Sequence, residues 1–187
     1  MKKILLLPVL AVACILFSCN QSAKTPTDAA PPDSSSKKEE PKAAANVVFP
    51  YTPSYSSNFE IGDPENSKKI LQLWRYYEEN KLSEGRSLFA DTVTFRLGNG
   101  GMITGPADSL LAGATKDRSM YTSVIDSVHA FTCIKEPSKN ENWVIIWAEE
   151  FRTDKKGKKT SNDMQESWLL KDGKVVYVEQ FTKPSKH

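Results

Sequence analysis

Between Asn20 and Asn46 there is not one Ile, Leu, Val, Met or aromatic side chain. The stretch is Pro, Ala, Ser, Thr, Lys, Glu and Asp, with a few amides. Such a segment cannot bury enough apolar surface to offset the entropy of ordering its chain. Residues 19–46 therefore read as a disordered tether, with a coil span of roughly 30 Å. Whatever folds must lie after it. From Val47 the composition shifts, and residues 47–62 set Phe49, Tyr51, Tyr55 and Phe59 among prolines and serines, which reads as an extended arm that packs its aromatics on the domain. Residues 63–187 are enough for one hydrophobic core and not two.

The segment before the tether reads as an address. Lys2 and Lys3 precede an apolar run from Ile4 to Phe17, too short to span a bilayer comfortably. It ends in Leu16-Phe17-Ser18-Cys19, which resembles a bacterial lipobox, with a bulkier Phe17 than usual. The resemblance implies a signal peptide over residues 1–18, lipidation of Cys19 (diacylglycerol on sulfur, an acyl chain such as palmitate on the amine) and a firm membrane anchor in the cell envelope. Cleavage discards Cys14, and lipid consumes Cys19. Cys133 is then the only free thiol, and no intrachain disulfide can form. Loss of Lys2 and Lys3 takes the formal charge from +2 to zero, which argues against nucleic acid as a partner. The lysines of Asp154-Lys155-Lys156-Gly157-Lys158-Lys159 read as a solvated hairpin tip.

Asp63-Pro64 supplies an N-cap and a proline at the first helical position. Ile70, Leu73, Trp74 and Tyr77 follow at three- and four-residue spacing, one apolar stripe of a helix to about residue 80. A short helix is expected from about Ser83 to Phe89, a strand from Asp91 to Leu97, a turn at Gly98-Asn99-Gly100-Gly101, a short strand at Met102 to Thr104, and a third helix from Gly105-Pro106 to about Lys116. Four long strands then run near residues 121–134, 143–152, 159–170 and 174–183. The fold class is α+β: a curved antiparallel sheet wrapped around about three helices, in one domain.

The order of these elements over residues 63–183 resembles the nuclear-transport-factor-2-like superfamily, which includes SnoaL-like and ketosteroid-isomerase-like proteins. Phe89-Ala90-Asp91-Thr92-Val93-Thr94-Phe95, Gly105-Pro106, Trp143-Val144-Ile145-Ile146-Trp147 and Trp168-Leu169-Leu170-Lys171-Asp172-Gly173-Lys174-Val175 carry it. The resemblance implies a cone with a pocket. It implies no single function, since the superfamily hosts enzymes, binders and dimerising adaptors. The isomerase mechanism does not carry over, because Leu97 and Leu73 stand where its base and tyrosine would fall, and only Glu166 falls near its acid.

Turns centred on Lys156-Gly157 and Asp172-Gly173 would place Trp143, Ile145, Trp147, Glu149, Phe151, Met164, Glu166, Trp168, Tyr177, Glu179 and Phe181 on one face. That face is expected to be the interior, with Trp147, Glu149, Met164, Glu166, Trp168, Tyr177, Glu179 and Phe181 lining a pocket. Three glutamates among aromatics would repel, and Glu166 is expected to titrate high. The alternative is that the glutamates sit at a wet rim or pair with Arg96 or Arg75. No cofactor is implied: His129 and Cys133 are too few for zinc, and no nucleophilic triad is visible. The leading expectation is a lipid-anchored, non-enzymatic binder of a small apolar or amphipathic molecule or a protein partner. Two alternatives stand beside it. One is an enzyme using Glu166 with Glu149 or Glu179 for proton transfer. The other is a module dimerising through a patch of Val144, Ile146, Val176 and Val178.

Overall fold

Asp63 opens the first helix as its sequence demands: its side chain accepts the Glu65 amide at 2.9 Å, and Pro64 follows. In this computed structural model, residues 48–185 are described; the signal segment, Cys19 and the tether to residue 46 lie outside them. Helix α1 (Pro64–Glu78) sinks Ile70, Leu73 and Trp74 into the core. Residues Leu82–Leu88 form a 3-10 helix, and α2 spans Ala107–Arg118. The strands are β1 (Glu60–Ile61), β2 (Phe89–Arg96), β3 (Met102–Pro106), β4 (Tyr121–Glu136), β5 (Glu141–Asp154), β6 (Lys159–Lys171) and β7 (Lys174–Pro184).

They form one seven-stranded sheet in the order β1-β4-β5-β6-β7-β2-β3. The sheet is mixed rather than wholly antiparallel, because β2 lies parallel to β7. The helices lie against one face. Ile70, Leu73, Phe89 and Leu111 meet Val144, Ile146, Ala148, Met164, Trp168, Leu170, Val175 and Val178 there in a single core. Residues from Phe49 onward form one compact unit.

The arm is latched chiefly through Tyr55, with Ser56 also donating to Glu136 at 3.1 Å. The Tyr55 hydroxyl donates to Glu141 and accepts from Trp143 Nε1 at 3.0 Å, and its ring stacks on Phe59. Phe49 and Tyr51, expected to pack with it, stay exposed.

Register departs from expectation at two places. The β5–β6 connection is a three-residue turn, Lys155-Lys156-Gly157, with Gly157 at φ 83° and the Asp154 amide bonded to the Lys158 carbonyl. Ile146, and not Trp147, therefore faces Glu166. The β6–β7 turn is the expected two-residue Asp172-Gly173, with φ of 49° and 73° at its two positions. One pair beyond it, Leu170 faces Val175 but Leu169 faces Tyr177, so Val176 is the extra residue of a bulge. Each one-residue slip turns a whole strand over. Trp147, Glu149, Tyr177, Glu179 and Phe181 thus belong to the outer face, and only Met164, Glu166 and Trp168 of the expected pocket face inward. The proposed dimer patch inverts too: Val144, Ile146 and Val178 are core.

Candidate functional site

The three glutamates expected to cluster are separated. Glu179 pairs with Arg96 at 3.0 Å on the outer side, Glu149 shares that side, and Glu166 is alone of the three within. Two acids that the shifted register brings inward take their place. Glu150 on β5 is buried, and its strand partner on β4 is Asp126.

Four elements converge here. The end of α1 brings Tyr77 and Glu78, the end of α2 brings Asp117 and Arg118, β4 brings Tyr121 and Asp126, and β5 brings Glu150 and Arg152. Arg118 is buried and ties the elements together, donating to the Glu78 carbonyl at 2.6 Å and to the Tyr121 carbonyl at 3.0 Å. Arg152 is the hub. It pairs with Glu150, approaches Asp117 at 3.6 Å, donates to the Tyr121 hydroxyl at 3.2 Å and lies 4.8 Å from that ring's centre. Tyr77 donates to Asp117 at 2.8 Å. Burial works against the Arg152 charge, but the Glu150 bond outweighs it and holds the guanidinium protonated. Burial pushes the Tyr77 phenol up, so it stays protonated and donates to Asp117.

Asp126 is the group this network leaves unmet. Its amide donates to Glu78 Oε1 at 2.6 Å, but its own Oδ1 is shielded from solvent and has no hydrogen-bond partner. Burial, then the charges of Glu150, Glu78 and Glu166, push its carboxyl up to about 8. Glu166 is buried more deeply and is satisfied, accepting Trp168 Nε1 at 2.9 Å and Gln180 Nε2 at 2.8 Å. Burial raises it to about 7 even so. Beyond Glu166 the interior is filled, with Trp168 packed between Phe89 at 6.4 Å and Phe95 at 6.3 Å. Toward β4 it is not closed. Val128 and Phe131 are exposed although their strand partners, Ala148 and Ile146, are core.

His129 sits exposed where β4 slips register between Val128 and Ala130, and Cys133 is a core residue whose thiol burial raises. Leu73 is buried in the core. Among the described residues no group of His, Cys, Asp and Glu is placed to hold a metal ion. A groove of about 530 Å³ on the far side of α2 is lined by Ser83, Arg86, Asp108, Leu111 and Thr115, among others. Its one arginine is already held by Asp108 at 2.7 Å and Asp91 at 3.6 Å.

The mixed sheet packed on two helices and a 3-10 turn resembles solved structures. A putative SnoaL-like polyketide cyclase from Jannaschia sp. superposes with a TM-score of 0.54 at 14% identity, covering 65% of this chain and 87% of that one. The domain has the nuclear-transport-factor-2-like fold. AclR, a putative hydroxylase from Streptomyces galilaeus, superposes with a TM-score of 0.53 at 12% identity, covering 65% of this chain and 91% of that one. An LEH-like epoxide hydrolase from M. tuberculosis matches with a TM-score of 0.53 at 6% identity, covering 64% of this chain and 83% of that one. No family model and no curated protein matches the sequence. At these identities the nuclear-transport-factor-2-like likeness fixes the fold, and function rests on the site itself.

Proposed function

We propose that this is a lipid-anchored envelope protein whose domain binds a small organic molecule at the polar end of the cone, beside Asp126. The observation that supports this reading is the Asp126 carboxyl oxygen, shielded from water and without a hydrogen-bond partner. A buried polar atom left unmet costs about 1–3 kcal/mol, and a ligand that meets it recovers that loss. With its carboxyl raised to about 8, Asp126 is protonated at neutral pH and offers an O–H to a ligand acceptor. The packing of Trp168 against Phe89 and Phe95 argues for a polar ligand at this end over an apolar one deeper in.

A second reading is proton transfer at the same place. Asp126 near 8 and Glu166 near 7 both lie where a general acid or base works best. Glu149 and Glu179 are on the other face and have no part in it. The test is an amide-resolved NMR titration with a set of small hydrogen-bonding molecules. Shifts centred on Asp126, Tyr121 and Glu150, abolished in Asp126→Ala, support the reading. Shifts confined to the groove beside Arg86, or none across the set, would end it. Turnover of any bound molecule, lost in Asp126→Asn with binding kept, would select the enzymatic version.

A further inference from the structure

The turned-over strands leave a surface with no role in the interior. Ile125 and Phe151 are paired neighbours on the outer face, and Trp147 and Phe181 flank Gln165 there. All four are large and apolar, and their exposures run from 39% for Trp147 to 58% for Ile125. The apolar patch borders the β5–β6 hairpin tip, where Lys155, Lys156, Lys158 and Lys159 are all exposed. The carboxylates nearby are largely engaged: Asp154 accepts the Lys156 and Lys158 amides, and Asp163 holds Lys183 and Ser185. Glu149 also shares this face.

We infer that this outer sheet face, led by the lysine tip, docks on an anionic lipid surface. Four exposed lysines beside exposed aromatics match the two demands of such a surface, which takes cations at the headgroups and apolar rings at the acyl boundary. The chain outside the structure supplies the opportunity. If Cys19 carries lipid, the residues between it and Phe49, at up to about 3.5 Å each, let the sheet lie along the same membrane. The inference rests on the lipid reading only for that proximity and is independent of the Asp126 site.

The test uses the chain from residue 19 with Cys19→Ser, so that failure of the face and failure of the anchor are read apart. Cosedimentation is measured with vesicles of phosphatidylcholine, with and without phosphatidylglycerol. Binding is expected to the anionic vesicles, about tenfold or more weaker to neutral ones, and to fall steeply with salt. Replacing Lys155, Lys156, Lys158 and Lys159 together by Gln is expected to lower it by about a hundredfold. Phe181→Ser with Ile125→Ser is expected to lower it by about tenfold. Both sets are exposed, so the thermal midpoint should hold. No binding of the folded chain to anionic vesicles overturns the inference, as does binding indifferent to the lysines. A dimer in sedimentation velocity that Phe181→Ser dissociates, without vesicle binding, would assign the face to a second copy instead.

Discussion

Asp126 and Glu166 show how position on a sheet sets acidity. Burial is the largest cause raising each carboxyl; the charges of Glu150, Glu78 and Glu166 raise Asp126 further, while Glu150 raises Glu166 against the hydrogen bonds from Gln180 and Trp168 that lower it. The consequence for stability has a definite sign. A carboxyl whose folded value lies above its unfolded value keeps its proton in the native state after the unfolded chain has lost it. Stability then falls as pH rises from about 4 toward 8, and is least affected below that window. Asp126→Asn removes this penalty. It should be more stable than the parent at pH 8 by on the order of 2 kcal/mol and nearly equal to it at pH 4, as read from urea melts. A carboxyl-carbon NMR titration is expected to put Asp126 near 8 and Glu166 near 7; values near 4 for both would show that the interior is wetter than the packing indicates.

Elements meet at close approaches that particular residues permit. Gly62 lies so near β4 that a Cβ there would stand 2.5 Å from Cys133 Sγ and 3.2 Å from two backbone carbons. Gly62→Ala should therefore cost about 1–3 kcal/mol, and Cys133→Ala in the same chain should return part of it, since the sulfur is the nearest contact. At the β5–β6 turn, Gly157 at φ 83° has open space around it, so only its backbone conformation resists a side chain. Gly157→Ala should cost about 1 kcal/mol and leave the core unaltered. The bulge at Val176 has a visible cause. Val175 and Val178 are both buried against the helices, yet in a regular strand residues three apart point to opposite faces. The extra residue lets both reach the core.

For the whole domain, the arm latch fastens the residues before β1 to the folded body. Burial pushes Glu141 up, but its bonds to Lys171 at 2.7 Å and to Tyr55 outweigh that and hold it below the ordinary carboxylate range. The stability it contributes is present at neutral pH and is lost as pH falls through its folded value. Tyr55→Phe removes the hydroxyl from both Glu141 and Trp143 and should cost about 1–2 kcal/mol. Hydrogen exchange should quicken at the Gly62 amide, which bonds the Cys133 carbonyl at 2.8 Å, while amides in β6 keep their protection. Equal loosening of β6 would mean that the latch is part of the core and not a strap upon it.

Much of the domain could be read from the order of residues. Asp63-Pro64 capped α1, the stripe of Ile70, Leu73 and Trp74 became its buried side, and Asp172-Gly173 made the turn its residue types favour, because these depend on neighbours within one or two turns of chain. The four long strands fell where alternation and turn residues placed them, and their order was enough to imply the fold. Which way each strand faced was another matter. Lys155-Lys156-Gly157 serves a two-residue or a three-residue turn equally well in composition, and nothing local marks Val176 as a bulge. Both were decided by what the helices required on the other side of the sheet. Because side chains alternate with a period of two, those two single-residue choices sent Trp147, Glu149, Tyr177, Glu179 and Phe181 outward and drew Glu150 in beside Asp126. Local chemistry in the sequence determined the elements and their order; only the packed tertiary structure, by fixing register, determined which acids share the interior.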